Sequence, residues 1–262
     1  MATLLRSETP SRPSLGDLLR EWRKRRHQSQ LALALQAGIS QRHLSFVESG
    51  RAQPSREMLL LLAEQLDMPL RERNRLLNAA GFAATYPERP LDDPALEPAR
   101  RAVERVLVAH EPYPALAVDR HWTLVAANRA VGPLLAGAAD PSLLAPPVNV
   151  LRLSLHPDGL ARRIANFAQW RAHLLQRLTR ECELSGDAGL HALLDELRAY
   201  PVPPAHASAR PPSIGHGDAR VFVPLELETP AGVLSFISTT TVFGTPVDVT
   251  VAELALECFF PA

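Results

Sequence analysis

Between Ser40 and Arg51 the chain reads Ser40-Gln-Arg-His-Leu44-Ser-Phe-Val47-Glu48-Ser-Gly50-Arg51, and at helical spacing its side chains fall into two sets. Leu44 and Val47, with the preceding Ile39, share one side, while Gln41, Arg42, Ser45 and Phe46 share the other. The second set offers an in-plane amide, a guanidinium fork, a hydroxyl and an apolar ring. Those groups match the edge of a base pair. Arginine pairs bidentately with guanine, glutamine with adenine, and an aromatic ring touches a thymine methyl. Gln30, Ser40 and Arg51 lie at or near helix ends, where an amide, a hydroxyl and a cation can hold phosphates. His43 completes this polar group. The implied partner is double-stranded DNA, read directly by Gln41 and Arg42.

Such a face needs a small helical scaffold, and Ser14 to Gly81 predicts one of five short helices. Leu15, Leu18, Leu19 and Trp22 form the first apolar stripe, followed by Arg23-Lys24-Arg25-Arg26, which reads as a solvated charge run. Ser29 caps a second helix that Gly38 stops. Ser40 caps a third, closed by Gly50. Ser55 opens a fourth over Met58 to Leu66, and a fifth runs from about Leu70 to Ala80. Ala34 and Ala37 let the second helix approach the third, so that Leu33 meets Ile39, Leu44 and Val47. Leu31 and Leu35, one turn apart, are left outside this core and are placed to meet another domain or subunit.

The linked set Ser29-Gln30, Leu33-Ala34, Ala37-Gly38-Ile39-Ser40, Leu44-Ser45, Glu48-x-Gly50 and Pro54-Ser55 resembles the Xre/Cro-type helix-turn-helix family over about Leu15 to Gly81. The resemblance implies a homodimer on near-palindromic half-sites.

Beyond residue 84 the pattern changes. Tyr86 to Pro98 holds four prolines and reads as a linker, giving domains at 1–13 (a disordered arm), 14–84 (helix-turn-helix), 85–98 (linker) and 99–262. A helix is expected over Ala99 to Ala109, strands over Pro114–Asp119 and Trp122–Ala127, and a helix from a capping Asn128 to Leu135. Helices follow over Leu160–Cys182 and Leu190–Tyr200, then a proline-rich loop over Pro201–Pro212 and strands over Arg220–Thr229 and Val233–Thr241. A last helix is expected over Thr250–Phe259. The fold class is therefore multidomain: an all-α five-helix domain followed by an α+β domain with a small antiparallel sheet.

This second half is similar to the MmyB-like ligand-binding domains, on Tyr86-Pro-Glu-Arg-Pro-Leu-Asp-Asp93, His110-Glu-Pro-Tyr-Pro114, Val118-Asp-Arg-His-Trp122, Ala127-Asn-Arg-Ala130, His156-Pro-Asp-Gly159, Trp170-Arg-Ala-His173 and Ser238-Thr-Thr-Thr-Val-Phe-Gly-Thr-Pro246. The resemblance implies a PAS-like fold around an apolar pocket for a fatty-acid-like molecule. Leu124, Phe167, Trp170 and Phe236 are the expected lining. Asn128 stands beside them at its helix start, and Arg171 is available to a ligand carboxylate.

The charge balance agrees with two specialised halves. Residues 1–90 carry 14 Lys+Arg against 9 Asp+Glu, and residues 91–262 carry 14 against 19, so a net charge of zero hides a basic front and an acidic back. Cys182 and Cys258 give neither a disulfide framework nor a zinc quartet. No GxSxG, HExxH, GxGxxG or GxxxxGK occurs, and the nine histidines show no His-x₃-His pair, so no enzyme, metal or cofactor is expected. No run is apolar enough to span a membrane and no signal-peptide core opens the chain, which predicts a cytoplasmic protein. Two other functions compete with the ligand-responsive regulator: a DNA-tethered dimerisation scaffold without ligand, and an enzyme of small apolar acids.

Overall fold

The computed structural model describes residues 13–203 and 222–262. All but the last residue of the arm expected over 1–13, most of the loop expected over 201–212 and the strand start expected at Arg220 lie outside the described residues. Two compact units result, one up to Pro87 with Val247–Val249, the other Glu88–Pro246 with Thr250–Ala262.

The first unit consists of α1 (Leu15–Arg25), α2 (Gln30–Gln36), α3 (Gln41–Glu48), α4 (Arg56–Gln65) and α5 (Leu70–Ala79). Serine starts each of the first four: Ser14, Ser29, Ser40 and Ser55 accept a bond from the backbone N–H three residues on, which satisfies an otherwise orphaned donor. Gly38 and Gly50 turn the chain after α2 and α3 at φ of 65° and 71°, where a side chain would be strained. Helices this short hold only by packing. Leu19, Leu33, Leu44, Leu62 and Leu77 are all fully buried in one cluster with Trp22.

The charge run after the first stripe is solvated only in part: Lys24 is exposed, whereas Arg23 and Arg26 are tied into the fold. Arg23 is 9% exposed and pairs with Glu48, while Arg26 donates to the carbonyls of Leu66 and Asp67. The Glu48 partner of Arg23 stands 25 residues away and the carbonyl partners of Arg26 stand 40 and 41 away. Leu31 and Leu35 are exposed, as their positions outside the core require.

The second unit comprises α6 (Glu97–Ala109), β1 (Ala115–Val118), β2 (Leu124–Ala127), α7 (Gly132–Leu135), α8 (Val150–Leu155), α9 (Phe167–Ser185), α10 (Ala188–Ala199), β3 (Leu225–Thr229), β4 (Gly232–Val242), α11 (Val249–Ala252) and β5 (Ala255–Pro261). Its strands form one antiparallel sheet in the order β2-β1-β5-β4-β3. Ala115, Ala117, Leu256 and Cys258 pack on one face with Val103 and Leu107 of α6. Val118, Leu225, Leu227 and Phe236 pack on the other, with α8, α9 and α10.

The final helix expected over Thr250–Phe259 is a correction. Only α11 is helical there, and Ala255–Pro261 is the strand at the centre of the sheet. A strand covered on both faces carries an almost unbroken apolar run, so the period of two is hidden. Two other boundaries also move. The helix expected from Leu160 breaks at Ile164, where α9 has yet to begin, and α6 starts at Glu97, inside the segment read as linker.

Candidate nucleic-acid interface and ligand cavity

On α3, Gln41 and Arg42 are exposed and Ser45 and Phe46 half-buried, while Leu44 and Val47 are fully buried against the other helices. The Arg42 guanidinium lies over the Phe46 ring, 5.3 Å from its centroid, so the cation and the ring present one continuous surface. Ser40 Oγ accepts from the His43 N–H at 3.1 Å and so starts the helix. The chain leaving α3 folds back, with Arg51 N–H donating to the Phe46 carbonyl at 2.8 Å, and the Arg51 side chain stays exposed at that end.

Two members of the expected set are turned inward. The His43 ring contacts Met58 Sδ at 3.3 Å on α4, and the Gln30 amide donates to Glu48 Oε2 at 2.9 Å. Glu48 thereby ties α1, α2 and α3 together, because Arg23 holds both its oxygens and Arg20 donates to its carbonyl. Burial alone would push the Glu48 carboxyl up. The hydrogen bonds from Arg23 and Gln30, with the Arg23 charge, outweigh that and hold it below its ordinary value.

In the second unit a cavity of about 100 Å³ lies between the sheet and its helices. Leu116, Phe259 and Leu227 line it from the sheet, and Leu134, Leu151 and Leu153 from the helical side. From α9 come Trp170, His173, Leu174 and Arg177, whose spacing puts them on one stripe. Ser238 and Glu257 supply polar groups from β4 and β5. An outer cavity of about 530 Å³ shares His173, Arg177 and Ser238 with the inner one.

A helix-turn-helix family model matches residues 19–73, over the helices that build the α3 face. The model of the MmyB-like transcription regulator ligand binding domain matches residues 99–262, over the sheet and its cavity. The chain belongs to the MmyB-like family. No curated protein matches it. It is a DNA-binding transcription regulator that carries a ligand-binding domain.

Of the six ligand-site residues expected for this MmyB-like regulator, four of them as lining, the cavity brings together only Trp170 with groups the sequence reading did not name. Phe167 is ordinary core, 1% exposed. Phe236 packs edge-on to Phe259, with centroids 6.4 Å apart, and Phe259 is the ring that faces the space. Leu124 is half-buried on β2, which ends the sheet.

Arg171 points away from Trp170, as one residue along a helix must, and donates to the carbonyls of Leu197 and Arg198 at the end of α10. Asn128 does not cap a helix, since α7 begins at Gly132. Its side chain is buried and accepts from the Ala115 N–H while donating to the Leu107 and Tyr113 carbonyls. The signal for His173, Leu174 and Arg177 was in the sequence as the i+3, i+4 and i+7 positions from Trp170. Nothing local marked Glu257, which faces the cavity only because β5 is a strand.

Proposed function

We propose that this regulator is a cytoplasmic homodimer that reads duplex DNA through Gln41, Arg42, Ser45 and Phe46, with Ser40 and Arg51 holding the backbone on either side and Gln30, committed to Glu48, bracing the helix from behind. The carrying observation is the division of α3: two fully buried leucine and valine side chains on one face, an exposed glutamine and arginine on the other. A recognition helix requires that division. His43 is spent on Met58 and contributes packing instead.

The same reading makes the second unit a PAS-like sensor for a small apolar compound with one polar end, the fatty-acid-like class being what the family resemblance implies. The strand order β2-β1-β5-β4-β3 and the cavity beside it support this. Ligand binding would then shift the balance between two arrangements of the dimer and so the half-site spacing it accepts. Mass spectrometry of material co-purifying with the protein identifies candidates, and DNA titration with and without each one tests the reading. A compound that fills the cavity should change DNA affinity. No cavity binding and identical DNA curves with every candidate would favour the scaffold without ligand.

A further inference from the structure

One wall of the inner cavity is a network of charges. Arg177 donates from Nη2 and Nη1 to Glu257 at 2.7 and 3.2 Å and from Nε to Glu181 at 3.2 Å, and its guanidinium lies over the Trp122 ring, 4.4 Å from the centroid. Glu257, 4% exposed, accepts a further bond from Thr240 at 2.9 Å. The second oxygen of Glu181 accepts from Trp122 Nε1 at 2.8 Å. One cation therefore stands between two carboxylates. The next cation, Arg180, lines the outer cavity and not the inner one.

Three of the guanidinium's five N–H groups are used by the two carboxylates, which leaves two. Beside Arg177 are the Ser238 hydroxyl and the His173 ring. His173 forms no hydrogen bond among the described residues, and burial together with the Arg177 charge pushes its pKa down, so it is neutral at neutral pH. Among the described residues donors are available here, but net positive charge is not.

Resting on the ligand-binding reading above, we propose that the cavity takes an uncharged amphiphile. Its short apolar body would lie among Val131, Leu134, Leu151 and Leu153, its carbonyl or hydroxyl head would meet His173, Arg177 and Ser238, and the corresponding carboxylate would be rejected. A neutral acceptor takes the remaining N–H groups at no electrostatic cost. A carboxylate there joins two others around a single guanidinium, and Glu257 cannot yield its place without leaving a buried charge unpaired. Size sets the body. A cavity of about 150 Å³ holds benzene, so 100 Å³ admits a few carbon atoms, with the head at the residues shared with the outer cavity.

Calorimetric titration of the full chain at neutral pH with hexanoate, methyl pentanoate (the isomer of its conjugate acid) and hexanol tests this. The ester and the alcohol should bind roughly tenfold or more tightly than the acid. Hexanoate binding as tightly as its isomer overturns the proposal. Glu257→Gln, which removes the competing charge, should move the acid-to-ester preference toward the acid by about tenfold. Glu181→Gln, at a partly exposed position, should move it the same way by less and serves where the buried variant does not fold. An unmoved ratio in the folded variant counts against the proposal. Leu134→Trp should fill the space and abolish binding of all three. Unchanged binding in that variant, or no binding by the unaltered protein, defeats the ligand-binding reading itself and the proposal with it.

Discussion

Arg23 and Glu48 form a bidentate ion pair between α1 and α3, Nε to Oε1 at 2.6 Å and Nη2 to Oε2 at 2.9 Å, with the glutamate side chain 1% exposed. The helix proposed to read DNA is thus fixed from behind by a charge that has no route to solvent. Removing one partner of a buried pair strands the other. Glu48→Ala should destabilise the first unit by about 3–5 kcal/mol in denaturant unfolding. The pH dependence has a definite sign. The folded carboxyl titrates below its ordinary 4.5, so its contribution is complete above that value and is lost as pH falls through the lower folded value. Loss of stability with falling pH should be steeper below 4.5 in the unaltered protein than in Glu48→Gln.

At Gly16 the backbone of α1 comes close to the backbone of α3 at Glu48. A Cβ there would lie 2.2 Å from the Glu48 carbonyl oxygen, and the backbone of α3 cannot step aside without moving the whole helix. Gly16→Ala should lower stability by about 1–3 kcal/mol, although alanine is the better helix former. A thermal midpoint equal to that of the unaltered protein would show that the two helices separate easily.

Asn128 holds three backbone groups of the second unit at once. Asn128→Ala should cost about 1–3 kcal/mol by leaving buried partners unsatisfied. Affinity for a cavity ligand should be unchanged in the protein that remains folded. Loss of binding there would return Asn128 to the ligand site.

These positions show what the sequence could carry. Capping serines and stopping glycines act over three or four residues, so the five front helices were legible, as were the exposed and buried faces of α3. Arg23 was misread because its carboxylate lies 25 residues away, and only the packed structure brings them together. The last strand was misread because burial on both faces removes alternation. That error also hid Glu257 and Phe259 from the list of cavity residues, since a helix would have pointed them elsewhere. Arg171 was chosen for its chemistry, but its direction around α9 puts it on the wrong side.

Arg51 is exposed where α3 ends and is assigned to phosphate. Arg51→Ala should weaken binding to all duplexes alike and reduce the slope of log affinity against log salt by about one. An effect confined to one sequence would make it a base-reading residue.

Selection of bound duplexes from a randomised pool, followed by titration of Arg42→Ala and Gln41→Ala on the selected sequence and its single-base variants, tests the account's central claim most directly. Each substitution should cost roughly 1–3 kcal/mol on the selected sequence and erase the preference at one base pair, with non-specific affinity little changed. Preferences identical to those of the unaltered protein, or an equal loss on every sequence, would contradict the assignment of α3 to the bases.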